Sequence, residues 1–220
     1  MKDKIIGFIS GLLSVVLGII ITFAVQGKVD RLQERKEVRS ALVLVRTELE
    51  AGVNDINEMT DYLRQEKVAA RYFLDNRYKL RHCPADSIDF YGGILFAEAS
   101  ITISHDALEL LKNSSLFPSI GDNELSMKII RAYDSAASIA GYLNSHISVR
   151  NGRVEQSVND RTAGQLTTDG FLDVRKFVAT PYGIYFMRLL SEQNDTESYI
   201  NIQDLQDAIE AIDTYLETHI

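Results

Sequence analysis

Residues 38–63 read VRSALVLVRTELEAGVNDINEMTDYL. Within them Val38, Leu42, Val45, Leu49, Gly52, Ile56, Met59 and Leu63 recur at alternating steps of four and three. A helix brings such positions onto one narrow seam, whereas a half-buried strand would alternate at every second residue. Gly52 is the one gap, with Val53 beside it to compensate. Charges fill the other faces, as in Gln33-Glu34-Arg35-Lys36-Glu37 just upstream. The pattern predicts an unbroken helix from about Val29 to Asn76. A seam this narrow can pair with a second copy or with helices of its own domain. Matching stripes downstream favour a bundle.

Upstream, Ile5 to Val25 reads IIGFISGLLSVVLGIIITFAV, twenty-one residues without a charge. At about 1.5 Å per residue such a helix reaches roughly 31 Å, close to the hydrocarbon thickness of a bilayer. Only helices and closed barrels satisfy their backbone in lipid, so a transmembrane helix is expected here. A cleaved signal peptide fits less well. Lys2 and Lys4 supply its positive start, but the run exceeds an h-region of about 7–15 residues. The exit Ala24-Val25-Gln26-Gly27 is also a poor cleavage site. Gly7, Gly11, Ser14 and Gly18 form a small-residue stripe in the span, the kind of surface that lets helices approach closely in lipid. Self-association through it is expected. Lys28, Arg31, Arg35, Lys36 and Arg39 follow the span, against Lys2 and Lys4 before it. The positive-inside bias then puts the body, residues 26–220, in the cytoplasm.

Charge is split along the chain. Residues 1–39 carry seven Lys/Arg against four Asp/Glu, while residues 40–220 carry sixteen against twenty-seven. An acidic body argues against nucleic acid as a partner, because that binding rests on neutralising phosphates. A single cysteine, Cys83, excludes an intrachain disulfide. With His82 and Pro84 it reads as part of a loop, since adjacent residues on a regular element point apart.

Downstream, Asp86 is expected to cap a short helix holding Ile88, Tyr91 and Leu95. The β-branched run Ile101-Thr102-Ile103 leaves the next stretch ambiguous. Ser104 reads as the cap of a helix that buries Ala107, Leu108 and Leu111. The turn Phe117–Gly121 ends that helix. Asp122 caps a strong helix with Leu125, Ile129, Ala132, Ala136, Ala140, Leu143 and Ile147 on one stripe, stopped by Asn151-Gly152. Residues 151–170 read as a polar connection. Thr180-Pro181 opens a helix that packs Ile184, Tyr185 and Leu189. Asn201 caps the last helix, with Ile202, Leu205, Ile209, Ile212 and Leu216 as its apolar face. Its eight acidic neighbours suggest docking on the basic stretch Arg64 to Arg81 of the long helix.

Chemistry-bearing motifs are missing. His82, His105, His146 and His219 are scattered, and no H-E-x-x-H, C-x-x-C, G-x-S-x-G or P-loop occurs. Ser104-His105-Asp106 holds triad residue types, but consecutive residues do not reach triad geometry. Carboxylate pairs such as Glu48 and Glu50 read as solvated charge. Tyr133, Tyr142, Tyr182, Tyr185 and Tyr215 read as core. No catalytic residue, cofactor or metal is expected.

The layout resembles a broad group of uncharacterised bacterial single-span membrane proteins. Gln33-Glu34-Arg35-Lys36 after the span carries the resemblance, as do Ala107-Leu108-Glu109-Leu110-Leu111-Lys112-Asn113-Ser114 and Ile130-Arg131-Ala132-Tyr133. The Asn-Asn-Trp that often ends the span in that group is replaced here by Val25-Gln26-Gly27. The resemblance implies an inner-membrane location and no activity. The expectation is an all-α protein in which a transmembrane helix continues into a long helix and a helical bundle. It would serve as an anchored interaction or scaffold module, bound to the bilayer, to copies of itself and to another protein. The alternatives are an extracytoplasmic ligand sensor signalling through a partner, or an enzyme whose site is assembled from distant residues.

Overall fold

The computed structural model describes residues 2–114, 116–159, 173–192 and 200–218. Side chains are described at 26 and from 29 onward, apart from 153, 154 and 156–159. Among the described residues every regular element is helical: α1 (Lys2–Asn76), a 3-10 turn (Leu80–His82), α2 (Ala85–Phe96), α3 (Asp106–Asn113), α4 (Leu116–Ser119), α5 (Asn123–Asn159), α6 (Val174–Val178), α7 (Pro181–Ser191) and α8 (Gln203–Thr218). The fold is all-α. No helix with described side chains is long and apolar enough to cross a membrane. The run 5–25, with Gly7, Gly11, Ser14 and Gly18, lies outside those side chains, although its backbone belongs to α1.

α1 holds the molecule together. Its 75 residues make a rod of about 110 Å. Val38, Leu42, Val45, Leu49 and Ile56 are all buried on the expected seam. The rhythm of fours and threes then outlasts the apolar residues that announced it. Met59 and Leu63 are half-buried, and the next beats, Glu66, Ala70 and Phe73, are buried. Val38 and Phe73 stand five heptads apart. A heptad line drifts about 20° per repeat on a straight 3.6-residue helix, so the buried face turns by roughly 100° over that length. Two cores result. The first packs the seam up to Ile56 against α3, α5, α8 and the extended segment carrying Ile101 and Ile103. The second gathers Ala69, Ala70 and Phe73 with Leu80, Leu95, Phe177, Phe186, Met187 and Leu190.

α5 and α8 close the first core. Asp122 Oδ1 accepts from the Glu124 and Leu125 amides at 2.8 and 3.0 Å, the expected cap of α5. The Ala-rich stripe from Leu125 to Ile147 is buried throughout. Asn201 Oδ1 accepts from Gln203 N at 3.0 Å and starts α8. α8 runs antiparallel to α1, because Leu205 lies beside Gly52 while Asp213 meets Arg46. Its partner surface therefore differs from the expected one. α8 docks on the seam of the first core, and the basic stretch from Arg64 onward packs near α2 and α7. Burial of Leu205, Ala208 and Ile212 decides the position, and charge complementarity does not.

Three further expectations are corrected. α5 does not stop at Asn151-Gly152 but continues to Asn159. A glycine inside a helix costs only about 1 kcal/mol, and Arg150 and Asn151 are both tied down by hydrogen bonds. The helix opened by Thr180 has its expected cap, with Gly183 N donating to Thr180 Oγ1 at 3.0 Å. Its buried face is Phe186, Met187 and Leu190, however, and Tyr185 is exposed. Gly183 sets that rotation. α7 crosses α6 so closely that a Cβ there would lie 2.1 Å from the Phe177 carbonyl oxygen. Asp86 sits in the first turn of α2 while Pro84 takes the cap position. Residues 160–170 of the polar connection lie outside the described residues.

Truncating the buried side of α8 is expected to dominate any loss of its charge. Leu205→Ala or Ile212→Ala should cost about 2–5 kcal/mol in urea denaturation. Asp213→Ala, which breaks the exposed pair with Arg46, should cost no more than about 1 kcal/mol.

Candidate functional site

The most elaborate polar arrangement sits at the junction of the two cores. Arg150 of α5 and Glu66 of α1 are 4% and 1% exposed and share a bond of 2.7 Å from Nε to Oε1. The remaining guanidinium protons go mainly to carbonyls at the C-terminal end of α2, and also to Tyr62 and Asn151. Nη2 donates to the carbonyls of Leu95 and Ile94 and to Tyr62 Oη, and Nη1 donates to the Ala97 carbonyl and to Asn151 Oδ1. Tyr62 Oη donates in turn to the Ile94 carbonyl at 2.9 Å. The last carbonyls of a helix have no partner within it and carry the negative end of its dipole. One arginine therefore caps α2, neutralises Glu66 and fastens α1, α2 and α5 together. Oε2 of Glu66 has no hydrogen-bond partner among the described residues. Burial pushes the Glu66 carboxyl up, and the attraction of Arg150 offsets this only in part. Burial also raises the Tyr62 hydroxyl, which keeps it a neutral donor.

A second arrangement joins α1, α3 and α5 at Glu48. Its carboxylate accepts from Ser104 Oγ at 2.5 Å, from Tyr133 Oη at 2.6 Å and from the Ala107 amide at 3.1 Å. Glu48 is thus not the solvated charge that its sequence neighbours suggest. It caps the N-terminus of α3 from another helix. Ser104, expected at the cap position, stands one place before it, because His105 takes the cap; its Oγ accepts from Asp106 N at 3.2 Å. Burial raises the Glu48 carboxyl, but the bonds from Ser104, Tyr133 and Ala107 outweigh it and hold the group below the usual carboxylate range. Burial and the neighbouring Glu48 push the Tyr133 hydroxyl well above its ordinary value.

Ser104 gives its proton to Glu48, not to His105, whose ring instead lies 5.5 Å from that of Tyr133. His82, His105 and His146 do not converge with other ligands, and His219 lies outside the described residues. No group of three His, Cys, Asp or Glu among the described residues could hold a metal. Cys83 is half-buried beside the Lys79 carbonyl. Of the tyrosines read as core, Tyr133 is buried, Tyr182 and Tyr215 are half-buried, and Tyr142 and Tyr185 are exposed.

Shallow grooves complete the surface. One of about 460 Å³ between α5 and α8 presents Asp122, Glu124, Asp207 and Glu210 with Lys128. A second, of about 240 Å³, lies where Arg31 and Arg35 of α1 approach Ser119 and Tyr215. A third, of about 350 Å³, is mainly apolar and separates α1 from α3 and α4 at Leu44, Leu110 and Leu116. These features define an all-α bundle built on one long helix, with polar clamps between helices and open grooves outside. No protein-family model matches the chain, and neither does any curated protein or solved structure.

The Arg150 centre was missed in the sequence, yet its signal was there. Glu66 follows Leu63 by three, and Arg150 follows Ile147 by three, so both charges stand on a core beat of their helices. Arg150→Ala is expected to cost about 3–5 kcal/mol, because it strands a buried carboxylate. Glu66→Leu combined with Arg150→Leu should recover a large part of that loss in urea denaturation.

For Glu48 the linkage runs the other way from a group raised by burial. Its folded value lies below the ordinary one of about 4.3. Its contribution is complete above that ordinary value and fades as pH falls through the folded value. The stability gap between wild type and Glu48→Gln should therefore shrink as melting is followed from about pH 5 to about pH 2.

Proposed function

We propose that this protein is a non-catalytic, anchored interaction module, held in a bacterial inner membrane by residues 5–25 and carrying its helical body in the cytoplasm. The observation that supports this most is the continuity of α1. One helix runs from the uncharged stretch into both cores without a break between Lys2 and Asn76. An anchor joined in this way holds the body at a set distance from the bilayer and passes orientation to it, which a flexible linker would not. The five Lys/Arg after the span favour the cytoplasmic side.

The polar clamps suit a scaffold better than an enzyme. They spend Arg150, Glu66, Glu48, Ser104 and Tyr133 on holding helices together. The stripe of Gly7, Gly11, Ser14 and Gly18 supports self-association in lipid, and the acidic groove between α5 and α8 offers a surface to a second, basic protein.

Full-length protein should remain with membranes through an alkaline carbonate wash, while a chain lacking residues 2–26 should be released and melt cooperatively. Release of the full-length chain in that wash would overturn the anchor. A C-terminal reporter that works only outside the cytoplasm should stay silent. Gly11→Leu should reduce the oligomer seen in mild detergent.

A further inference from the structure

The seam of α1 does not end at Val38. Counted back by the same steps of three and four, its next beats toward the N-terminus are Arg35 and Arg31. The face that is apolar against the first core thus turns cationic where the body stops covering it. Both arginines are exposed, and neither makes an ion pair among the described residues. They stand about one turn apart in a cleft of about 240 Å³. Val38 and Ile120 give it an apolar part, and Ser119 at the end of α4 and Tyr215 of α8 complete it.

Hydrogen bonds hold the walls of this cleft in place. Tyr215 Oη donates to the Ile120 carbonyl at 2.7 Å, which ties α8 to the turn after α4. Ser119 Oγ donates to Glu34 Oε1, which ties that turn to α1. Glu34 is the one carboxylate of the lining, so the two guanidinium groups leave a single net positive charge there. Asp122, whose charge reaches Tyr215, is committed to the amides that cap α5. A phosphodiester carries one negative charge and matches that balance, and the guanidinium fork suits phosphate oxygens.

Position along α1 points to the source of the phosphate. Arg31 and Arg35 follow Val25, the end of the uncharged run, by six and ten residues. On an unbroken helix that sets them about 9 and 15 Å beyond it. Helical side chains lean toward the N-terminus, which here is the bilayer side. Headgroups fill roughly the first 5–8 Å outside the hydrocarbon, within reach of two long side chains leaning that way. We infer that this cleft binds the phosphodiester of a membrane lipid headgroup, held by Arg31 and Arg35, and so seats the body on the bilayer surface. The inference rests on the anchor proposed above, which sets the depth of the cleft.

The test uses the full chain purified in neutral detergent and titrated by calorimetry. Its ligands are short-chain phosphatidylglycerol, the diacylglycerol of the same chains, and inorganic phosphate. The phospholipid should bind, and Arg31→Gln combined with Arg35→Gln should weaken it by about tenfold or more. Each single substitution should weaken it by a smaller factor. Lys79→Gln combined with Arg81→Gln, at exposed positions far along α1, should leave it unchanged. No binding of the phospholipid, or equal affinity in the Arg31 and Arg35 variants, overturns the inference. Diacylglycerol binding as tightly overturns it as well, because the acyl chains then carry the contact. Inorganic phosphate binding as tightly gives the cleft to free phosphate and removes the lipid. The alkaline wash decides the anchor separately. A chain that stays in washed membranes but shows no headgroup binding keeps its anchor and loses this cleft. A chain released by the wash that still binds through Arg31 and Arg35 loses the anchor and keeps the cleft as its membrane contact.

Discussion

A heptad rhythm imposed on a helix of 3.6 residues per turn is the constraint from which this architecture follows. Along α1 the buried line cannot stay on one side. It winds by roughly 100° between Val38 and Phe73, and the helices that cover it must wind with it. α3, α5 and α8 cover the first part, and α2, α6 and α7 cover the second. The handover falls between Ile56 and Ala69, where Met59 and Leu63 are only half-buried. A beat of the rhythm lands on Glu66 at this point. The chain accommodates a carboxylate there by bringing Arg150 from α5 and the C-terminal carbonyls of α2 to the same place.

The two polar clamps differ in kind. A buried pair such as Glu66 with Arg150 adds little net stability over a well-packed apolar pair, since desolvation offsets its attraction. It contributes selectivity, because α2 and α5 can meet α1 at that level in only one register without leaving a charge unmatched. Glu48 is less buried and gathers three donors, from α3, from Ser104 just before it and from α5, so it holds the N-terminus of α3 against α1 at lower cost. Between them they tie α2, α3 and α5 to α1.

Much of the fold could be read from the sequence wherever apolar residues kept a helical rhythm. The seam from Val38 to Ile56, the stripe of α5 and its Asp122 cap, the Thr180-Pro181 start of α7 and the Asn201 start of α8 all stand as expected. The reading failed where a charge occupied an apolar beat. Neither Glu66 nor Arg150 stands out in the sequence, because a charged residue type hides the core phase on which each falls. It failed again where tertiary packing overrode local signals: Gly152 is carried inside α5, and Gly183 lets α7 rotate Phe186 inward and Tyr185 out. Charge was a poor guide to docking, for α8 followed its buried leucine and isoleucine and ignored the distant basic stretch. The Glu48 clamp could not be read, since Ser104, Tyr133 and Glu48 meet only once three helices are assembled.

The placement of α8 also governs the order of events as the chain is made. The seam of α1 between Val38 and Ile56 receives its last wall only from Leu205, Ala208 and Ile212, which are translated about 150 residues later. At about 5–20 residues per second, that leaves the seam open to water for roughly ten to thirty seconds. Contacts this remote in sequence also form slowly. Newborn chains therefore stand side by side with an uncovered apolar strip. For that interval one chain's strip is open to a neighbour's α8 as well as to its own.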